Sequence, residues 1–377
     1  MPRSSSHGGE ILAASRATGR GPDDLLDFSS NADSLVADLT ESIVRSIDYP
    51  YAYYPDDGCR ELVEALAGIE GVDAGEVLVG NGSSELIFLC LQALKPAKVV
   101  IVGPVFSEYA RACENLDIEH ELYLLGEAGG FALTREDMDR LTRIPGDMLI
   151  LCVPNNPTTA VYKDLDVLLG SGNRKHILID NTYREFLYGT PVYDQQDVHR
   201  YRSVVPRGTS VISLQSFTKA YYCTGIRLGY LLAPQQIVDT LKGCRAPWTV
   251  SRFAELAGLA FLANRDAYRE RRRMMPALRE TFVADLAKTG LFANILSSDL
   301  NFVLAKLQPG RDVVQLQAYL LTCGILVRNC DTIPGMPKGY IRLQIRCGKE
   351  NRALVEACAR FARSVPTIQS GHPGQQG

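Results

Sequence analysis

Between about residue 75 and residue 235, short apolar runs alternate with segments of helical spacing, and this alternation restricts the chain more than any other feature. Val77 to Val79, Lys98 to Val102, Met148 to Val153, His176 to Asp180 and Ser210 to Leu214 read as buried strands. Segments 83–94, 107–115 and 165–170 carry helical spacing between them. Strand and helix in turn predict an α/β fold with a mostly parallel sheet covered on both faces. Ligands of such sheets collect at the carboxyl ends of the strands. The polar residues just beyond each run are therefore the first places to look for chemistry.

After Pro247 the texture changes. Ser251 to Ala263 and Asp266 to Lys288 read as two long helices. A strand near Asn301 to Lys306, a helix near Val313 to Leu321, strands at Ile325 to Arg328 and Tyr340 to Ile345, and a closing helix from Glu350 to Arg363 make a smaller α+β domain. The basic run Arg269 to Arg273 is short and flanked by Glu270 and Glu280, which predicts a solvated helix face rather than a nucleic-acid patch. The expected organisation is an N-terminal arm (1–45) serving the small domain and the active site, a large domain (46–262), a small domain (263–365) and a disordered Gly-, Gln- and Ser-rich tail (366–377).

The bulk numbers narrow the function. A net charge of −3 gives no general attraction to nucleic acid or anionic membrane. No apolar run reaches the roughly 20 residues of a membrane span, and Met1 to Gly9 lacks the apolar stretch of a secretory signal. None of the 10 cysteines forms a C-x-x-C pair, and several lie within apolar runs. They are expected to be buried free thiols in a reducing cytosol, with no metal site and no disulfide framework.

Several strand ends carry chemistry. Lys219 follows the run Val211 to Leu214 in Ser216-Phe-Thr-Lys219, with Gly225, Arg227 and Gly229 beyond it. A lysine drawn out of water has a lowered pKa and becomes an amine nucleophile. Ser216 and Arg227 bring a hydroxyl and a charged fork that suit a phosphate. Asn81-Gly82-Ser83-Ser84-Glu85 joins a strand to a helix, as an anion cradle or a plain N-cap does. Pro154-Asn-Asn156-Pro157-Thr158 is a Pro/Asn turn at a strand end, and Asp180 of Asp180-Asn-Thr-Tyr183 is a carboxylate at another.

Taken in order, these segments resemble the fold-type I, pyridoxal phosphate (PLP)-dependent aminotransferase superfamily over roughly residues 25 to 365. The resemblance implies a seven-stranded, mostly parallel large domain and a smaller α+β domain. It implies that Lys219 holds PLP as a Schiff base. It gives Gly82, Ser83, Ser84, Ser216 and Arg227 the cofactor phosphate, Asn156 and Tyr183 the ring oxygen, and Asp180 the pyridine nitrogen. In Pro104-Val-Phe106-Ser-Glu-Tyr109, the last tyrosine is implied to stack on the ring. In Tyr53-Tyr54-Pro55-Asp56, Tyr54 is implied to reach the phosphate of a neighbouring subunit, which makes the protein a homodimer. Thr159 stands where the family usually has glycine, a departure expected to alter the turn.

Within the superfamily the chain looks closest to the histidinol-phosphate aminotransferase branch, which includes the threonine phosphate decarboxylases of cobalamin synthesis. Arg342 matches the arginine that forks onto a substrate carboxylate, Arg328 one that holds a substrate phosphate, and Arg346 a decarboxylase-like addition in the same strand. His7-Gly8-Gly9 and the stretch ending at Asn31 look like the decarboxylase's opening, with His7 and Asn31 near the substrate. The pattern departs at Asp33 and Ser34, where a negative charge faces an anion site; serine phosphate, a phosphonate or an unphosphorylated substrate thereby stay open. The expected reaction is decarboxylation of a phosphorylated amino acid. The alternative is transamination of histidinol phosphate or another amino acid.

Overall fold

The computed structural model describes residues 8–49, 51–297 and 299–364. His7 and the tail 366–377 lie outside the described residues. The chain forms two compact units, one from Ala32–Arg273, the other from the chain up to Asn31 together with the chain from Met274 onward. The divisions fall earlier than residue 45 and later than residue 262. Helix Ala37–Arg45 packs on helix Arg252–Ala263, and helix Arg265–Arg272 on the turn Ser34–Val36, so these pieces belong to the large unit.

The large unit holds seven strands: β1 (Val77–Gly80), β2 (Lys98–Gly103), β3 (Glu119–Leu124), β4 (Met148–Cys152), β5 (His176–Asp180), β6 (Ser210–Ser216) and β7 (Gly229–Leu232). Their order is β1-β7-β6-β5-β4-β2-β3, and only the two pairings made by β7 are antiparallel. β4 is buried at every residue, and β2, β5 and β6 at every residue but the first, as continuous apolar runs demand. β3 and β7 escape the apolar-run criterion. β3 reads Glu-His-Glu-Leu-Tyr-Leu at the sheet edge, where one side is solvated.

The small unit is built on an antiparallel sheet of β8 (Phe292–Leu296), β9 (Phe302–Leu307), β10 (Arg328–Asn329) and β11 (Tyr340–Gln344), in the order β10-β11-β9-β8. The expected strand Ile325 to Arg328 is two pieces. Ile325–Leu326 pairs with Leu26–Asp27, and Arg328–Asn329 joins β11. The expected helix Asp266 to Lys288 also breaks, into Arg265–Arg272 and Met275–Lys288. Pro276 lies in the first turn of the second piece, where its missing N–H is harmless.

The basic run is a solvated face only in part: Glu270, Arg271 and Arg273 are exposed, and the other two arginines turn inward. Arg269 pairs with Glu185 at 2.7 Å and Arg272 with the fully buried Asp33 at 2.8 Å. Seven cysteines are buried, whereas Cys244 and Cys347 are exposed and Cys323 is half-buried, so core filling does not describe all ten. Among the described residues no helix is long and apolar enough to cross a membrane.

Candidate active site

Strands β4, β5 and β6 run parallel side by side, so their carboxyl ends deliver Cys152, Asp180 and Ser216 to one edge of the sheet. Asp180 is buried, 4% exposed. Its Oδ1 accepts the Thr182 N–H at 2.9 Å and its Oδ2 the Tyr109 hydroxyl at 2.6 Å. Burial pushes the Asp180 carboxyl above the ordinary carboxylate value, against the pull of these donors and of the Lys219 charge. Asn181 fastens the neighbouring strands: its Nδ2 donates to the Val153 carbonyl at 3.0 Å, and its Oδ1 accepts from Ser213 at 3.0 Å. Tyr183, 2% exposed, opens the short helix Arg184–Leu187 just beyond.

Gly82, Ser83 and Ser84 form the first turn of a 13-residue helix, Gly82–Leu94, whose N-cap Asn81 makes no side-chain cap. The Asn81 N–H itself is taken by Glu85. Gly82 has φ +79°, and a Cβ there would lie 2.6 Å from Arg227 Nη2. A Cβ on Gly229 would lie 2.9 Å from Ser83 N. The absent side chains let the helix start, the Arg227 guanidinium and the end of β6 converge. Uncapped N–H groups beside a guanidinium are an anion site.

Ser216 ends β6 and caps the one-turn helix Phe217–Ala220, its Oγ 2.7 Å from Thr218 Oγ1. Lys219 follows, half-buried. The turn after β4 is locked by Asn155, whose Oδ1 accepts from Thr158 Oγ1 at 2.9 Å and whose Nδ2 donates to Tyr162 at 3.1 Å. Asn156 sits beside it at 9% exposure. Thr159 takes φ +63°, so the backbone keeps the left-handed geometry a glycine supplies, at a cost of about 1–3 kcal/mol. This arrangement fits PLP: an anion cradle for the phosphate, a half-buried amine for the aldehyde and a buried carboxylate for the ring nitrogen.

The small unit places its arginines together. Arg328 and Arg342 stand directly opposite in the β10–β11 ladder, 7% and 5% exposed. Arg342 donates to the Ser29 carbonyl at 2.6 Å. Gly9 N donates to Ser29 Oγ at 2.8 Å, and a Cβ on Gly8 would lie 2.1 Å from Ser29 O and 3.3 Å from Arg342 Nη2. Asn31 is 6% exposed and its carbonyl accepts from Asn301 Nδ2 at 3.0 Å.

Other expected placements change. Tyr109, assigned to stack on the ring, is 0% exposed within the core, its hydroxyl bound to Asp180, so it offers no face. Phe106, in the same motif, is edge-on to Tyr109 at 5.8 Å and only partly buried. Tyr54, by contrast, keeps an exposed position, 80% exposed and stacked on Trp248 at 4.6 Å. Arg346 lies beyond the end of β11, tied to the Asp27 carbonyl and to Glu350 at 2.8 Å. Asp33, expected to oppose anions, is paired with Arg272.

Residues 30–361 match the family described as aminotransferase class I and II. The chain is 30% identical to a threonine-phosphate decarboxylase of Salmonella typhimurium over 362 residues, 94% of this chain and 95% of that protein. It is 32% identical to a histidinol-phosphate aminotransferase of Desulfitobacterium hafniense over 347 residues, 90% of this chain and 91% of that protein. Among solved structures, histidinol-phosphate aminotransferase from Clostridium acetobutylicum matches with a TM-score of 0.77 at 24% identity, covering 90% of this chain and 100% of that one. L-Threonine-O-3-phosphate decarboxylase from Porphyromonas gingivalis matches with a TM-score of 0.75 at 22% identity, with the same coverage. These structures share the fold, and the two relatives divide between two reactions at near-equal identity. With the match running through both units and through every strand end described above, the chain belongs to the aminotransferase class I and II family of PLP-dependent enzymes.

Proposed function

We propose that this enzyme decarboxylates an O-phospho-amino acid of the threonine phosphate type, giving an aminoalkyl phosphate and carbon dioxide. One observation carries the reading: Arg328 and Arg342 are cross-strand neighbours, both buried. Like charges set opposite each other on a ladder repel. Burial pulls Arg328 below its ordinary value and the Arg342 charge adds to this, against Cys330 and Glu10. A substrate with a carboxylate and a phosphate offsets that repulsion, and both of its acidic groups suit a guanidinium fork. The position of Gly8, where a Cβ would run into the Ser29 carbonyl, is further support, because the His-Gly-Gly opening is the decarboxylase-like part of the sequence.

Bound PLP supplies an electron sink for the negative charge that develops at the substrate α-carbon. In this reading Gly82, Ser83, Ser84, Ser216 and Arg227 hold its phosphate, and Asn156 and Tyr183 its ring oxygen. Phe106 gives it an aromatic face. Asp180, fixed by Tyr109 and Thr182, keeps the proton on its ring nitrogen. Arg342 holds the substrate carboxylate; Arg328, His7 and Asn31 orient the phosphate end. The carboxylate leaves as carbon dioxide with its bonding electrons left at the α-carbon, and Lys219 Nζ delivers a proton there. The exposed Tyr51, Tyr53, Tyr54 and Trp248 suit a second copy of the chain, with Tyr54 reaching the partner's phosphate site.

The second reading, transamination of histidinol phosphate, is favoured by the 32% identity to such an enzyme. Lys219 then takes the α-hydrogen. Incubation of the purified enzyme with threonine phosphate and no keto acid separates the two. Decarboxylation predicts stoichiometric carbon dioxide and aminopropanol phosphate. Turnover only with a keto acid acceptor contradicts it.

A further inference from the structure

The residues behind Lys219 form a second constellation, apart from the residues assigned to cofactor and substrate. Helix Phe217–Ala220 is one turn long, and past its end the Lys219 carbonyl takes a long 3.4 Å bond from the Tyr222 N–H, which leaves the Lys219, Ala220 and Tyr221 carbonyls open to donors from elsewhere. Each is met by a donor from a distant part of the large unit. The Lys219 carbonyl accepts the Asp33 backbone N–H at 2.8 Å. The Ala220 carbonyl accepts Arg272 Nη2. The Tyr221 carbonyl accepts Thr40 Oγ1 at 2.7 Å.

These donors are themselves fixed. Arg272 Nε pairs with Asp33 Oδ2 at 2.8 Å, and the two residues are 8% and 0% exposed. The Arg272 guanidinium lies 5.5 Å from the Phe186 ring centroid and 5.9 Å from that of Tyr221. Thr40 Oγ1 is also 3.0 Å from the Tyr268 hydroxyl. A buried ion pair is weak evidence for stability, since desolvation offsets most of the attraction. Its use here is geometric: Asp33 holds the Arg272 fork where it reaches a carbonyl next to the lysine.

We infer that Asp33, Arg272 and Thr40 are positioning residues for Lys219. They clamp three successive carbonyls and so set the direction in which the amine leaves the backbone. The amine must make and release a covalent bond in each turnover, and the clamp keeps the chain beneath it from following. Charge neutralised inside the clamp leaves Asp33 no field to oppose an anionic substrate. The inference rests on Lys219 being the cofactor amine.

The test uses the full-length, cofactor-free protein. PLP is added, samples are quenched with borohydride at intervals, and label on the Lys219 peptide is followed by mass spectrometry beside the melting temperature, kcat and KM. The double variant Asp33→Asn/Arg272→Gln removes both buried charges together, so neither is stranded. Its melting temperature is expected near wild type, with capture at Lys219 and kcat slowed about tenfold, the worth of one hydrogen bond to a charged group, and KM unchanged. Thr40→Val, which removes one neutral donor and settles the matter should the double variant not fold, is expected to slow capture about fivefold. Wild-type capture rates in both variants overturn the clamp, as does slowing that merely tracks lost melting temperature. Wild-type protein that takes no label at Lys219 fails at the earlier step, the assignment of the amine, and the clamp falls with it.

Discussion

The Tyr109 hydroxyl donates a 2.6 Å hydrogen bond to Oδ2 of Asp180 from a ring sealed inside the core. Burial, and after it the Asp180 charge, hold the phenol well above its ordinary pKa, so it remains a donor throughout the working pH range. In the proposed mechanism Tyr109 acts through Asp180. Tyr109→Phe should lower kcat about tenfold, the value of one hydrogen bond to a charged acceptor, while the melting temperature moves little. Steady-state kinetics with a thermal melt check this; unchanged kcat contradicts it.

Asp180 makes the cofactor-free protein pH-sensitive. Its folded-state pKa is raised by burial above the unfolded value. The stability associated with its proton is present below the unfolded pKa and is lost as pH rises through the folded one. Asp180→Asn removes that penalty. The variant should melt above cofactor-free wild type at neutral pH, by about 2–4 °C per kcal/mol recovered, with the gap closing in acid, and should be inactive. A lower melting temperature at neutral pH contradicts the account.

Glu185 works in the opposite sense. Burial would raise its pKa, but Arg265 at 3.1 Å and Arg269 at 2.7 Å, with Arg272 behind them, take it below the ordinary value. Its stabilisation is present above the unfolded pKa and disappears as pH falls through the folded one. Glu185→Gln leaves the half-buried Arg265 and Arg269 without their acid and should cost about 1.5–3 kcal/mol near neutrality, less in acid. Urea unfolding at the two pH values measures both numbers.

How much of this the sequence disclosed depended on how local each signal was. The buried strands Met148–Cys152 and His176–Asp180 are unbroken apolar runs, and the Asp180 and Lys219 motifs each sit within a few residues of a strand end. The edge strand Glu119–Leu124 gives no apolar run because glutamates alternate into its first half and none of its residues is fully buried. The pairing of Asp33 with Arg272 joins residues 239 apart, and nothing local distinguishes Arg272 from its exposed neighbour Arg273. Tyr109 and Phe106 share one short motif, and burial separates the sealed ring from the partly buried one.

Gly8 tests the decarboxylase reading from the small unit. A Cβ 2.1 Å from the Ser29 carbonyl meets rigid backbone, and that same carbonyl anchors Arg342. Gly8→Ala must push the opening segment away. It should lower decarboxylation about tenfold through lost orientation of the substrate, with the cofactor absorbance unchanged. Full activity in this variant would separate the His-Gly-Gly opening from the reaction.

The most direct measurement is borohydride reduction of the PLP-loaded enzyme followed by peptide mapping. The account predicts loss of the visible absorbance band and a single pyridoxyl phosphate adduct on the peptide carrying Lys219. An adduct on another lysine, or a protein that stays colourless and unlabelled with added cofactor, contradicts it.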